Sequence, residues 1–408
     1  MEGFSYMGSN ALRQNYYRLD YLKLFCAFVV IAIHTSPLLA LSEFADHIFD
    51  DCFTVYAVPI FYACTGFLLI VNGNEENSIS LRHHIRKTIK KVVRLYLIWT
   101  AVYMPLTIYG WTVNKNLYGD SIAISAVKFI RSFLFVGENY YSWTLWYLNG
   151  LIVALLIIYV LSNKMTIKEM FILSSMLYAI GIGLNAGVTF SEYLSSSVST
   201  GIALYFKAFV TTRNGLFQSF AFITTGMACG LATKQGSRLL ISRHKFKSTA
   251  FKLVSYNDVS SLKSSTFVTA ITLFIAKFAC SFSGIGGGYL SQLLTLPTFC
   301  FLFRGISYWC MKSDDEQMNE RKKVTEKEGT DKRMIDRGII CRKLSTNIYF
   351  VHMYFVALCA LAIFGEGNCN NFYSFFIVCA CATSVGLVMI LIAKWRRTKS
   401  TSCHSATT

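Results

Sequence analysis

Apolar runs of about 17–22 residues recur along nearly the whole chain, separated by more polar segments. A run of that length crosses the hydrocarbon core of a bilayer as an α-helix. Charged residues make up 15% of the 408 residues, against about 25% in an ordinary soluble protein. The pattern predicts an all-α, polytopic transmembrane helical bundle of about ten spans. They fall at about 21–42, 52–71, 92–112, 144–161, 170–187, 214–233, 266–283, 289–310, 345–364 and 372–394. The first run is too long for a cleavable signal peptide and contains a histidine, so it is expected to stay as a span. Segment 121–136 is interrupted by Lys128 and Arg131 and reads as an interfacial or re-entrant helix; Lys207 makes 200–212 ambiguous.

Charge orients the bundle. With both termini in the cytoplasm, the inner segments hold about 31 of the 39 Lys and Arg, as the positive-inside rule requires. The first outer loop, "SEFADHIFDD", is acidic, in agreement. The net charge of +17 therefore belongs to cytoplasmic loops, and no nucleic-acid partner is expected. The division is a cytoplasmic N-terminus at 1–20, a membrane domain at 21–394 with a charged insert at 311–344, and a disordered basic tail at 395–408. The thirteen cysteines lie mostly in apolar runs, where Cys acts as a small hydrophobe. Cys52 and Cys369 are both expected to face outward, and a disulfide between them is one possibility. No cysteine or histidine spacing suits a metal.

Ionisable residues inside spans are costly and single themselves out. In "LDYLKLFCAFVVIAIHTSPL", Lys23 and His34 are eleven residues apart. On an α-helix that is three turns plus about 20°, so they share a face about 16 Å apart along the axis. Each alone reads as structural, Lys23 as a snorkelling anchor and His34 as an interhelical hydrogen bond. Together they read as two ends of a polar channel. Pro37 removes an N–H donor and is expected to free the Ile33 carbonyl beside His34; Pro59 does the same for Val55. In "RKTIKKVVRLYLIW" a basic stripe enters the third span, with Lys91 and Arg94 as i, i+3 neighbours. An anchor is the plain reading, but Arg94 is placed to meet an anionic group. "NYYSWTLWYL" reads as an interfacial aromatic belt. Arg213, in "TTRNGLF", stands at the outer end of the sixth span, and "STNIYFVHMYF" puts His352 about two turns in from the cytoplasm.

These segments together resemble the acyltransferase-3 family of ten-span bacterial membrane proteins. That family opens with an Arg, ten residues and a His in its first span; here Lys23 replaces the Arg and His34 matches. "KVVRLY" is similar to its basic pair through Lys91 and Arg94. "TLWYL", around Trp146, is similar to its His-Leu-Trp-Tyr-Leu segment, with Thr144 in place of the His. "NIYFVHM" is similar to its late Tyr-x-x-His segment through Tyr349 and His352. "AIHTSPL", "LWYL" and "RNGLF" look most like the membrane domain of the vancomycin-resistance serine racemases.

The resemblance implies transfer of an acyl group, acetyl being the common case, from cytoplasmic acyl-CoA to a hydroxyl of a cell-envelope glycan or sugar. It implies a multi-pass protein of the bacterial cytoplasmic membrane. Its partners would be the lipid bilayer, acyl-CoA and a glycan or small hydroxyl-bearing acceptor. No bound cofactor or metal is implied, acyl-CoA being a substrate. His34 would be the catalytic base. Lys23, Lys91 and Arg94 would hold CoA phosphates, with Arg213, Trp146, Tyr349 and His352 as further binding candidates. Two other readings stand beside it: a non-enzymatic domain binding or transporting a small amino acid such as L-serine, and a membrane scaffold.

Overall fold

The computed structural model describes residues 16–72, 78–245, 255–323, 328–365 and 370–405. The described residues are helical throughout, with no strand. In chain order the helices are α1 (Tyr17–Thr35), α2 (Glu43–Phe49), α3 (Val55–Val71), α4 (Ser78–Tyr118), α5 (Ile122–Arg131) and α6 (Leu145–Leu161). There follow α7 (Ile167–Thr189), α8 (Ser196–Phe209), α9 (Phe220–Lys245), α10 (Ser255–Ser281), α11 (Gly284–Lys323), α12 (Glu328–Leu358) and α13 (Phe372–Ser405). Each expected span overlaps a helix, because each is set by a local apolar run.

Among the described residues, seven helical stretches are long and apolar enough to cross a membrane. They are Glu43–Val71, Ser80–Leu117, Ile167–Thr189, Gly215–Lys234, Gly286–Cys310, Arg337–Ile363 and Phe372–Arg396. Leu145–Leu161 and Ser265–Ser281 are shorter apolar helices. The chain is a multi-pass membrane protein.

The boundaries differ from expectation where capping chemistry decides them. The first span was expected to reach residue 42, but α1 stops at Thr35. Ser36 turns left-handed at φ 32° while its N–H donates to Ala32 O at 2.8 Å. The residue before a proline is pushed out of the α region, so Pro37 ends the helix instead of kinking it. The acidic "SEFADHIFDD" is not a loop. Ser42 accepts a bond from Ala45 N, and Glu43 and Asp46 sit in the first turn of α2, where a helix favours negative charge. A π-helical turn at Asp50–Thr54 joins α2 to α3. Segment 121–136 is helical, as α5 and a π turn at Ser132–Val136, and the ambiguous 200–212 contains most of α8. α13 runs on through the basic segment to Ser405. Cys369 lies outside the described residues.

Two packings hold the centre. α3 and α9 approach at glycines: a Cβ on Gly66 would lie 2.0 Å from Ile223 O, and one on Gly226 would lie 2.0 Å from Ala63 O. Small residues let membrane helices meet backbone to backbone, where dispersion is strongest. α1 packs along α12, tied by a two-pronged ion pair. Arg342 Nε and Nη2 donate to the buried Asp20 carboxylate at 3.0 and 2.7 Å. Asp20 meets Arg342, and further along both helices His34 meets His352, so α1 and α12 run parallel.

Candidate functional site

A cavity of about 920 Å³ opens between α1, α3, the 137–144 loop, α7, α10 and α11. His34 lines it from the last turn of α1. Its ring stacks against Trp143 at 6.0 Å and faces His352 at 5.4 Å. His352 is fully buried behind it. His352 Nδ1 lies 3.1 Å from Ile348 O, and an imidazole can meet a carbonyl only by donating. That assigns the proton to Nδ1 and leaves Nε2 as a lone pair, without a hydrogen-bond partner among the described residues. His352 was expected two turns in from the cytoplasm. α12 itself starts earlier, at Glu328, so the helix that carries His352 extends well before the apolar run that set the expected boundary.

Local structure aims the other groups. In "TTRNGLF" the Asn214 side chain caps a π turn, accepting from Leu216 N at 3.0 Å and Phe217 N at 3.2 Å. Its amide also donates to Tyr205 Oη at 2.8 Å, so the preceding Arg213 is held on a fixed corner. The Arg213 guanidinium sits 5.4 Å from the Trp146 ring centroid and 3.6 Å from Glu138. Glu138 is set by Gly137, whose φ of 82° and close contact with Trp146 Cα leave no room for a Cβ. Ser132 donates to the Glu138 carbonyl. Burial pushes the Glu138 carboxyl up from its ordinary range, and the Arg213 charge pulls it back down. Thr144 is buried at the cavity wall, and its carbonyl accepts from Tyr349 Oη at 3.3 Å. Tyr349 thus fastens the start of α6 to α12.

The structure brings His34, His352, Tyr349, Trp146 and Arg213 together. Lys23, Lys91 and Arg94 do not line this cavity. Lys91 and Arg94 are exposed on α4, with Arg86 and Lys90 of the same stripe. Trp143, Glu138, Asp51 and Lys277, none of them a site candidate from the sequence, do line it. Lys277, a lone cation within an apolar run, was the available signal, since intramembrane charges mark functional paths. Its Nζ donates to Asp51 Oδ1 at 2.8 Å with both side chains largely buried. Among the described residues, no three His, Cys, Asp or Glu side chains cluster as metal ligands.

The chain is thus a multi-pass helical bundle with a histidine on the wall of a large internal cavity. The chain belongs to the acyltransferase-3 family, whose profile, described as "Acyltransferase domain", matches residues 16–393. It is similar to an amino-acid racemase of Enterococcus faecalis, 30% identical over 218 residues, covering 52% of this chain and 28% of that protein. It is also similar to a serine/alanine racemase of Enterococcus gallinarum, 27% identical over 237 residues, covering 58% of this chain and 31% of that protein. The chain therefore spans under a third of the length of these relatives. No solved structure matches.

Proposed function

We propose that this protein is an O-acyltransferase of the bacterial cytoplasmic membrane, moving an acyl group, acetyl in the simplest case, from cytoplasmic acyl-CoA to a hydroxyl of a cell-envelope glycan or sugar. The observation that carries the reading is His34 on the wall of a large polar cavity, backed by His352. In this reading there are ten spans, the three beyond the seven long ones being α1, α6 and α10, with both termini inside. The loop charge asymmetry supports that orientation. Lys23 then faces the cytoplasm, about 16 Å below His34 along α1. With Lys91 and Arg94 it holds the CoA phosphates outside the cavity, and the pantetheine arm carries the thioester up to His34.

The chemistry follows from neutral imidazole. His34 accepts the proton of the acceptor hydroxyl as its oxygen attacks the thioester carbonyl. The new C–O bond forms, the C–S bond breaks, and the proton passes to the departing CoA thiolate. His352 positions the His34 ring. A second reading, binding or movement of a small amino acid such as L-serine without acyl transfer, draws on the names of the racemase relatives.

Membranes containing the protein, supplied with radiolabelled acetyl-CoA, separate the two. Label reaching an envelope glycan, and lost in His34→Gln, is the expected result. Serine uptake with no binding of acetyl-CoA overturns the acyltransferase reading.

A further inference from the structure

The far end of the cavity, beneath α2 and beside α10, holds a second polar group. Asp51, in the π turn between α2 and α3, receives Lys277 Nζ on Oδ1. Its other oxygen, Oδ2, is buried and has no hydrogen-bond partner among the described residues. His47 Nε2 stands 3.9 Å from it, beyond bonding distance. A buried carboxylate oxygen without a donor costs free energy, so this atom asks for a donor from a ligand. Gln218 lines the same cavity, and its amide carbonyl oxygen, as oriented, is likewise buried and unpartnered. Thr144 Oγ1, on the same lining, is also buried and unpartnered, so the unmet groups are two acceptors and one hydroxyl, all of which a ligand hydroxyl can meet.

Charge narrows the ligand further. The Asp, Glu, Lys and Arg side chains lining the cavity are Asp51, Glu138, Arg213 and Lys277. They are already matched, Asp51 with Lys277 at 2.8 Å and Glu138 with Arg213 at 3.6 Å. An added ammonium at Asp51 Oδ2 would sit beside the Lys277 ammonium. An added anion at Lys277 would sit beside Asp51. A neutral molecule with several hydroxyls satisfies the vacant acceptors without either repulsion. The exposed Trp143 indole on the same wall suits the apolar face of such a molecule.

We infer that Asp51, held in place by Lys277, is a hydroxyl-recognising subsite for the acceptor, and that the acceptor end in this cavity is an uncharged polyol or sugar. This rests on the acyl-transfer reading for its place in a reaction, but binding at Asp51 is measurable without acyl-CoA.

The test titrates the full-length protein in detergent, following tryptophan fluorescence, with three probes on one scaffold: methyl glucoside, glucosamine and glucuronate. Methyl glucoside should bind most tightly. The paired replacement Asp51→Asn with Lys277→Gln leaves no buried charge alone and should weaken methyl glucoside binding about tenfold or more. Acetyl-CoA binding should be unchanged in it. Tighter binding of glucosamine or glucuronate by the unaltered protein overturns the inference, with no variant needed. No binding of methyl glucoside, or undiminished binding in a folded double variant, overturns it too. Asp51-dependent binding of methyl glucoside without any acetyl transfer leaves the subsite standing and removes the acyltransferase reading alone.

Discussion

The His34 and His352 rings face each other at 5.4 Å, 33° from parallel, at the same level of two parallel helices. Only His34 lines the cavity, while His352 is held through Nδ1 to the Ile348 carbonyl. A general base typically contributes about 10²–10⁴-fold, so His34→Gln should lower kcat on that order. His352→Gln should lower kcat less, with acyl-CoA affinity intact. The double variant should be little worse than His34→Gln, as for residues that act as a unit. Additive losses would mean that the two histidines act independently.

Below the His pair, an ion pair joins the same two helices. Asp20 is almost fully buried and accepts two prongs from Arg342. Hydrogen bonds to charged groups contribute about 1.5–3 kcal/mol, and Asp20→Asn should destabilise the protein by about that amount in detergent melting. Turnover should fall as well, because α1 and α12 lose their register. An unchanged melting temperature would mean that apolar packing alone sets the register.

Gly66 and Gly226 each face a backbone carbonyl 2.0 Å from where a Cβ would stand. Gly66→Ala and Gly226→Ala should each cost about 1–3 kcal/mol by overpacking, or more, since a backbone must move. Gly183, on α7, has nothing within 4 Å of its Cβ position, so Gly183→Ala should be neutral or slightly stabilising. Thermal unfolding of the three variants side by side checks the contrast. Equal effects would remove the close α3–α9 contact as the cause.

Lys23 lies outside the cavity, so its effect should be on the donor alone. Lys23→Arg should keep acyl-CoA affinity, because charge and reach are preserved. Lys23→Met should weaken it severalfold without altering acceptor binding. Direct titration with acetyl-CoA decides, and equal affinity in the unaltered protein and Lys23→Met would remove Lys23 from the donor site.

Orientation is checked by reporter fusions. Those placed after Lys164 and after Lys245 should read cytoplasmic, and one within 192–207 should read external. Mixed signals would sink the ten-span arrangement.

Much of this was legible along the chain. Each apolar run folds where it stands, because a backbone in lipid satisfies its polar groups only within the helix. His34 was singled out by its cost inside an apolar run, and "RNGLF" by its cationic neighbour. Local chemistry fixed other features that hydropathy blurs: Pro37 stops α1, and Ser42 with Glu43 and Asp46 starts a helix in the segment read as the first outer loop.

The sequence by itself determined the helices, their order and which of them carry charge. Only the tertiary structure decided what those charges meet. His352 faces His34 across α1 and α12, the same two helices that Asp20 and Arg342 join further down. Lys277 found Asp51 across 226 residues of chain, turning an apparent acidic loop and a lone cation into one buried pair. Lys91 and Arg94 stayed outside the cavity. The physical reason is that apolar length is a property of one segment, whereas rotation and axial register between helices depend on side-chain packing among segments far apart in sequence.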